Sequence, residues 1–133
     1  MTQAPVALDE AAEPSRTLTI EITSIEAVSG VARFAGETAG PALRVTVEAT
    51  NAADTAFATP AAVVNLYFGD DRQPADAIGE PGGRPLPAEV PAAGTSSGVY
   101  LFSVPEGERD DILIEIELQV GEPIVLFEGS AAN

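Results

Sequence analysis

From Thr17 onward the apolar residues of this chain fall on every second position. Leu18, Ile20 and Ile22 alternate with Thr19, Glu21 and Thr23, and Ile25 and Val28 continue the pattern less regularly. Successive side chains of a strand point to opposite faces, so this period marks one buried and one solvated side, and β-branched residues suit a pleated surface. A second run puts Leu43, Val45, Val47 and Ala49 on the inner face and Arg44, Thr46, Glu48 and Thr50 on the outer one. Asn51-Ala52-Ala53-Asp54 ends it, because Asn and Asp tolerate left-handed backbone and hydrogen-bond their own chain. Phe57 and residues 62–68 supply the next strand, whose nearly continuous apolar character predicts cover on both faces, at least in part. Tyr100, Phe102 and Val104 then alternate with Val99, Leu101 and Ser103 until Pro105-Glu106-Gly107 stops them. The most regular stretch follows, with Ile112, Ile114, Ile116 and Leu118 inward and Leu113, Glu115, Glu117 and Gln119 outward. Gly121-Glu122-Pro123 makes a turn, and Ile124–Phe127 closes the fold.

The intervening segments read as punctuation. Residues 1–16, rich in Ala, Pro and Glu without apolar period, are expected to form a flexible acidic leader. Residues 29–41 form a loop with room for a short strand near Val31–Phe34. Residues 69–98 hold five prolines and six glycines. A structureless segment that long is uncommon inside a domain, so short strands are expected at 73–78 and 86–90. If the whole segment is one loop, it is the place to look for function. Residues 130–133 read as a frayed tail. No segment offers an amphipathic helix. Strands separated by Gly/Pro turns predict one all-β domain over 17–129, a sandwich of antiparallel sheets.

Five stretches, in this order and spacing, carry a resemblance: LRVTVEATNAAD (43–54), VVNLYFGDD (63–71), VPAAGTSSGVYLFSVPEGERDD (90–111), ILIEIEL (112–118) and IVLFEG (124–129). Together they resemble a family of immunoglobulin-like domains of unknown function found in exported proteins and lipoproteins of Gram-positive bacteria, actinobacteria especially. Within these stretches Asn51 is expected to turn the chain, Gly94 to permit a tight bend, and Pro105 to end a strand and blunt an edge. The resemblance implies an immunoglobulin-like antiparallel β-sandwich and an extracellular or cell-envelope location. It implies no catalytic residue. The opening Met1-Thr2-Gln3-Ala4-Pro5 has no basic or apolar signal-peptide region, so a mature segment without its signal peptide is expected.

Composition narrows the chemistry. Leu, Ile, Val and Phe make up roughly a quarter of the 133 residues, above the ~20% below which disorder prevails. There is no cysteine, no histidine and no lysine, which removes thiolate and Ser-His-Asp nucleophiles, imidazole metal sites, Schiff bases and the P-loop. The stretch GEPGGRP (79–85) matches no nucleotide-binding motif and reads as loop, so no cofactor is expected. Carboxylates are the remaining acid–base material: Asp70-Asp71, Asp76 with Glu80, and Glu106, Glu108, Asp110 and Asp111. A glycosidase needs two of them facing across a cleft, and no Trp is present to stack a sugar. The PEGERDD turn (105–111) could bring carboxylates together for weak calcium binding, although DxDxDG spacing is absent and Arg109 interrupts it. The other expectation is a solvated acidic turn. Tyr67, Phe68, Tyr100, Phe102 and Phe127 are expected mainly in the core, with the tyrosine hydroxyls at the rim.

The net charge is −15, from 21 acids against six arginines. It argues against nucleic acid and anionic headgroups, which are bound through Lys and Arg. No apolar run reaches the ~18 residues of a membrane span, so direct insertion is not expected. Three functions remain: a non-catalytic extracellular or envelope module whose partner is another protein, an assembly subunit pairing through sheet edges, and a weak calcium-binding module. Neither ligand nor oligomeric state is legible. Self-repulsion at this charge opposes compaction and is screened by salt. Moderate NaCl should therefore raise the melting temperature in a thermal scan, and a flat or falling response would refute this.

Overall fold

A computed structural model describes residues 4–32, 39–59, 62–118 and 123–131. The strands are β1 (Val6–Ala7), β2 (Leu18–Gly30), β3 (Gly40–Asn51), β4 (Phe57–Ala58), β5 (Val63–Phe68), β6 (Gln73–Pro74), β7 (Asp76–Ile78), β8 (Glu89–Val90), β9 (Gly94–Ser103), β10 (Ile112–Glu117) and β11 (Val125–Gly129). No α-helix occurs among the described residues; one 3-10 turn spans Glu106–Glu108. One sheet runs β1-β11-β10-β5-β6 and the other β2-β3-β9-β7, with β4 and β8 as a separate pair. All pairings are antiparallel except the parallel contact of β1 with β11. The molecule is an immunoglobulin-like antiparallel β-sandwich.

The core lies where the inward residues of the two sheets meet. Leu43, Val45, Val47 and Ala49 of β3 face Ile112, Ile114 and Ile116 of β10, joined by Leu66, Phe102, Val125 and Phe127. The even spacing of β2 fails for a physical reason. Its register against β3 shifts between Ile22 and Ser24, a bulge that turns the later odd positions inward. Ile25 thus packs on the main core, while Val28 points to the opposite side.

There Val28 meets a second cluster, Ala42, Ile78 and Leu101, on the outward face of the four-stranded sheet. GEPGGRP is more than punctuation at this place. Glu80 pairs with Val31 beside β2, and Arg84 returns to pair with Val99 of β9, so 79–84 forms a strap over the outer face. Arg44 donates from Nη1 to Pro81 O at 3.3 Å and pairs with Glu26 at 3.1 Å. Beyond the strap the chain returns to the main core at Leu86, whose N–H donates to Tyr100 Oη at 2.9 Å. Gly98 admits that approach; a Cβ there would sit 2.7 Å from Leu86 N.

Several expectations need correction. The leader is not wholly flexible: Val6–Ala7 pairs with β11, and Ala12, 5% exposed, exchanges backbone hydrogen bonds with Ile20. At the other end Ala131 N–H donates to Arg109 O at 2.8 Å, which ties residue 131 to the turn before β10. Short strands do form inside 69–98, but residues 94–98 belong to β9. Gly94 does permit the bend before β9, its N–H donating to Pro91 O at 3.0 Å, while the left-handed residue there is Ala93, with φ 51°. Pro105 follows a strand held between β3 and β7, so it blunts no edge. Residues 62–68 have cover on one side only: Val64 and Leu66 are buried while Val63 is 45% exposed. Half of the strand expected near Val31–Phe34, residues 33–34, lies outside the described residues, as do Gln119 and the Gly121-Glu122 turn.

Asn51 does turn the chain. Its Oδ1 accepts from Ala53 N–H at 3.0 Å, and its Nδ2 donates to Thr55 O at 2.8 Å and Val90 O at 3.3 Å, tying the end of β3 to β8. The side chain is buried, so losing these bonds exposes nothing to water in exchange. Asn51→Ala should cost about 1–3 kcal/mol in denaturant melts, independent of pH. Asn51→Asp sets a carboxylate against two carbonyl oxygens, which raises its folded-state pKa. Its deficit should be small in acid and grow as pH rises through the carboxylate range, as pH-resolved melts would check. Ile114→Ala, at a fully buried position, should cost about 2–5 kcal/mol, against well under half of that for Leu113→Ala on the outer side of the same strand.

Candidate functional site

The acidic turn is solvated and partly spoken for. Glu106 and Glu108 lie on an exposed 3-10 turn after Pro105. Asp111 pairs with Arg72 at 3.0 Å, and Arg72 reaches on to Glu128 at 3.3 Å. Glu108, Asp110 and Asp111 border a shallow hollow with Asp70, yet no group of three or more acids among the described residues is placed to hold a metal ion. The calcium alternative therefore gains no support from geometry.

A depression of about 630 Å³ opens at the side where β6 and β7 pass between the sheets. Phe68, Pro41, Ala75 and Val104 give it an apolar wall, with Asp76 and Glu106 at its lip. Two carboxylates on one groove invite comparison with hydrolytic acid pairs. Such pairs work because burial separates the ionisation of one partner from the other. Both side chains here are exposed, in an open depression that water enters freely. Asp76 and Glu80, four residues apart in sequence, are divided by the course of the chain, since Glu80 crosses to Val31.

A third surface was only half visible in the sequence. On the outward face of the five-stranded sheet the pairing sets Glu117 beside Val63, Glu115 between Asn65 and Leu126, and Leu113 between Tyr67 and Glu128. Cross-strand neighbours of this kind share one face and touch. Glu115 is the hub. Its Oε1 accepts from Asn65 Nδ2 at 3.2 Å and from Tyr67 Oη at 3.4 Å. Desolvation and the neighbouring Glu115 charge push the Tyr67 phenol above its ordinary pKa. Tyr67 thus departs from the core role expected of it; Phe102 and Phe127 fill the core instead. Tyr100 lies between, packed on the core with its phenol raised by burial against the opposing effect of the Leu86 N–H. Arg72, at a left-handed turn position with φ 52°, closes one end of the face by bridging Asp111 and Glu128. Both ion pairs are substantially exposed and contribute at most about 1 kcal/mol each, so they orient the rim more than they stabilise it.

No protein-family model matches the chain, and no curated protein matches it in sequence. Solved structures do resemble it. A candidate lipoprotein from Bacillus subtilis superposes with a TM-score of 0.66 at 17% identity, covering 94% of this chain and 39% of that one. The yjhA protein of the same species gives 0.67 at 13% identity over 91% of this chain and 98% of its own. A secreted protein from Mycobacterium tuberculosis gives 0.63 at 13% identity, over 96% and 99%. This chain therefore spans well under half of the first and nearly all of the other two. At these identities the likeness is one of fold, a β-sandwich shared with proteins of Gram-positive bacteria that include a secreted one and a candidate lipoprotein.

Proposed function

We propose that this chain is a non-catalytic interaction module acting outside the cytoplasm, in the cell envelope or secreted, with another protein as its partner. The observation that carries this is the outward face of β5, β10 and β11, where Val63, Leu113 and Leu126 stay at least partly exposed around an ordered Glu115. Exposed apolar positions grouped on a rigid sheet and rimmed by polar groups are the usual anatomy of a protein-binding patch. The fold likeness to a secreted protein and a candidate lipoprotein supports the location. No enzymatic activity is named for these neighbours.

Pairing through sheet edges is the weaker alternative. The exposed edge of β2 is interrupted by its bulge, and its two ends are occupied by Ala12 and Glu80. At the other edges β1 and β6 have two residues each and β7 has three. Short, kinked or covered edges are how sheets avoid pairing with one another. Sedimentation from micromolar to millimolar concentration should accordingly give a constant monomer mass, and a concentration-dependent dimer would favour edge assembly. Fractionation of the producing organism should place the protein in the envelope or the medium. Confinement to the cytosol would overturn the proposal.

A further inference from the structure

Of the two outward sheet faces, the chain roofs one itself. The 79–84 strap closes over Ala42, Ile78 and Leu101, held by Arg44 through Pro81 O. Over the five-stranded sheet Val63 stays 45% exposed, and Leu113, Ile124 and Leu126 stay partly so. The apolar run at 62–68 has the composition of a strand covered on both sides, and among the described residues no segment covers the outward one. Resting on the interaction-module proposal above, we infer that the outward face of β5–β10–β11 docks a protein partner that presents apolar side chains interleaved with arginine or lysine.

Charge selects this occupant. Glu115, Glu117 and Glu128 lie on the face and Asp111 at its end, with Arg72 as counter-charge. A second copy of a chain at −15 would set carboxylate against carboxylate, and an anionic lipid surface would be repelled in the same way. A basic partner meets the opposite condition. Glu115 is prepared for it: Asn65 and Tyr67 both bind Oε1, which fixes the carboxylate plane and leaves Oε2 to accept from an incoming guanidinium. An acceptor oriented in advance loses less freedom on binding. Val63 and Leu126, on opposite sides of β10, supply the apolar contact to either side of that charge.

The test is an amide-resolved NMR titration of the intact chain with a synthetic peptide alternating arginine and valine. A peptide with serine in place of arginine serves as control. Shift changes should concentrate on 63–67, 113–117 and 124–128 with the arginine peptide and be absent with the serine peptide. Glu117→Gln and Leu126→Ser should each weaken binding about fivefold or more, while Glu48→Gln on the opposite face changes it less than about twofold. Unchanged melting curves would show that each variant folds. Shifts spread over every acidic segment, or a Glu48→Gln effect equal to that of Glu117→Gln, would reduce the face to unspecific attraction and overturn the inference. Concentration-dependent broadening at this face without peptide would also overturn it, in favour of a second copy. An exported protein without the localised shift loses the basic, apolar partner at this face but keeps the envelope location, whereas a cytosolic protein that shows it loses the envelope location but keeps the docking face.

Discussion

Two sheets of this molecule are held together by aliphatic side chains that recur at every second residue of β3 and β10. Leu43, Val45 and Val47 on one side and Ile112, Ile114 and Ile116 on the other are at most 1% exposed, and they sit on strands flanked by others within their sheets. Because the strand period is two, any slip of one residue would turn a whole row of aliphatics to water. Register is therefore strongly specified, and the rest of the structure follows from it. The β2 bulge is tolerated because it lies at a sheet edge, where the shifted register can redirect Val28 to the outer cluster without breaking the central rows.

With the centre fixed in this way, the peripheral segments do separate jobs. Asn51 uses both ends of its amide to tie the end of β3 to its own turn and to β8. The Gly/Pro-rich stretch after β7 is not a free loop but a strap, returning along β9 through Arg84, Leu86 and Glu89, whose carbonyl accepts from Ser96 Oγ. Glycine serves close approach here: a Cβ on Gly83 of the strap would collide with the Gly79 carbonyl, and Gly98 of β9 admits the passage of Leu86. Coverage of the four-stranded sheet by this strap makes the bareness of the other outward face informative, since both faces carry apolar residues and the chain encloses those of one.

The outer charges set the choice of partner. Six arginines are too few to neutralise 21 acids, and Arg44 and Arg72 are spent within the molecule on Glu26, Asp111 and Glu128. What remains is a surface that repels its own kind and attracts cations. Specific recognition on such a surface requires a place where charge, apolar contact and fixed geometry coincide, which the surroundings of Glu115 provide.

The alternation along 43–49 and 112–118 determined the fold class by itself, because burial on one side of a strand leaves a direct imprint at period two. Composition likewise determined which reactions lack their reagents. Other features were decided only in three dimensions. Nothing local distinguishes the outward Val63 and Tyr67 from the inward Val64 and Phe68 until β5 is paired with β10. The residues before β2 that join the sandwich, among them Val6, Ala7, Leu8 and Ala12, carry no period and are recruited by neighbours distant in sequence or across a turn. The candidate docking face shares this origin: Asn65, Tyr67, Glu115 and Leu126 come from three strands up to about 60 residues apart, and only sheet register, a long-range property, sets them side by side.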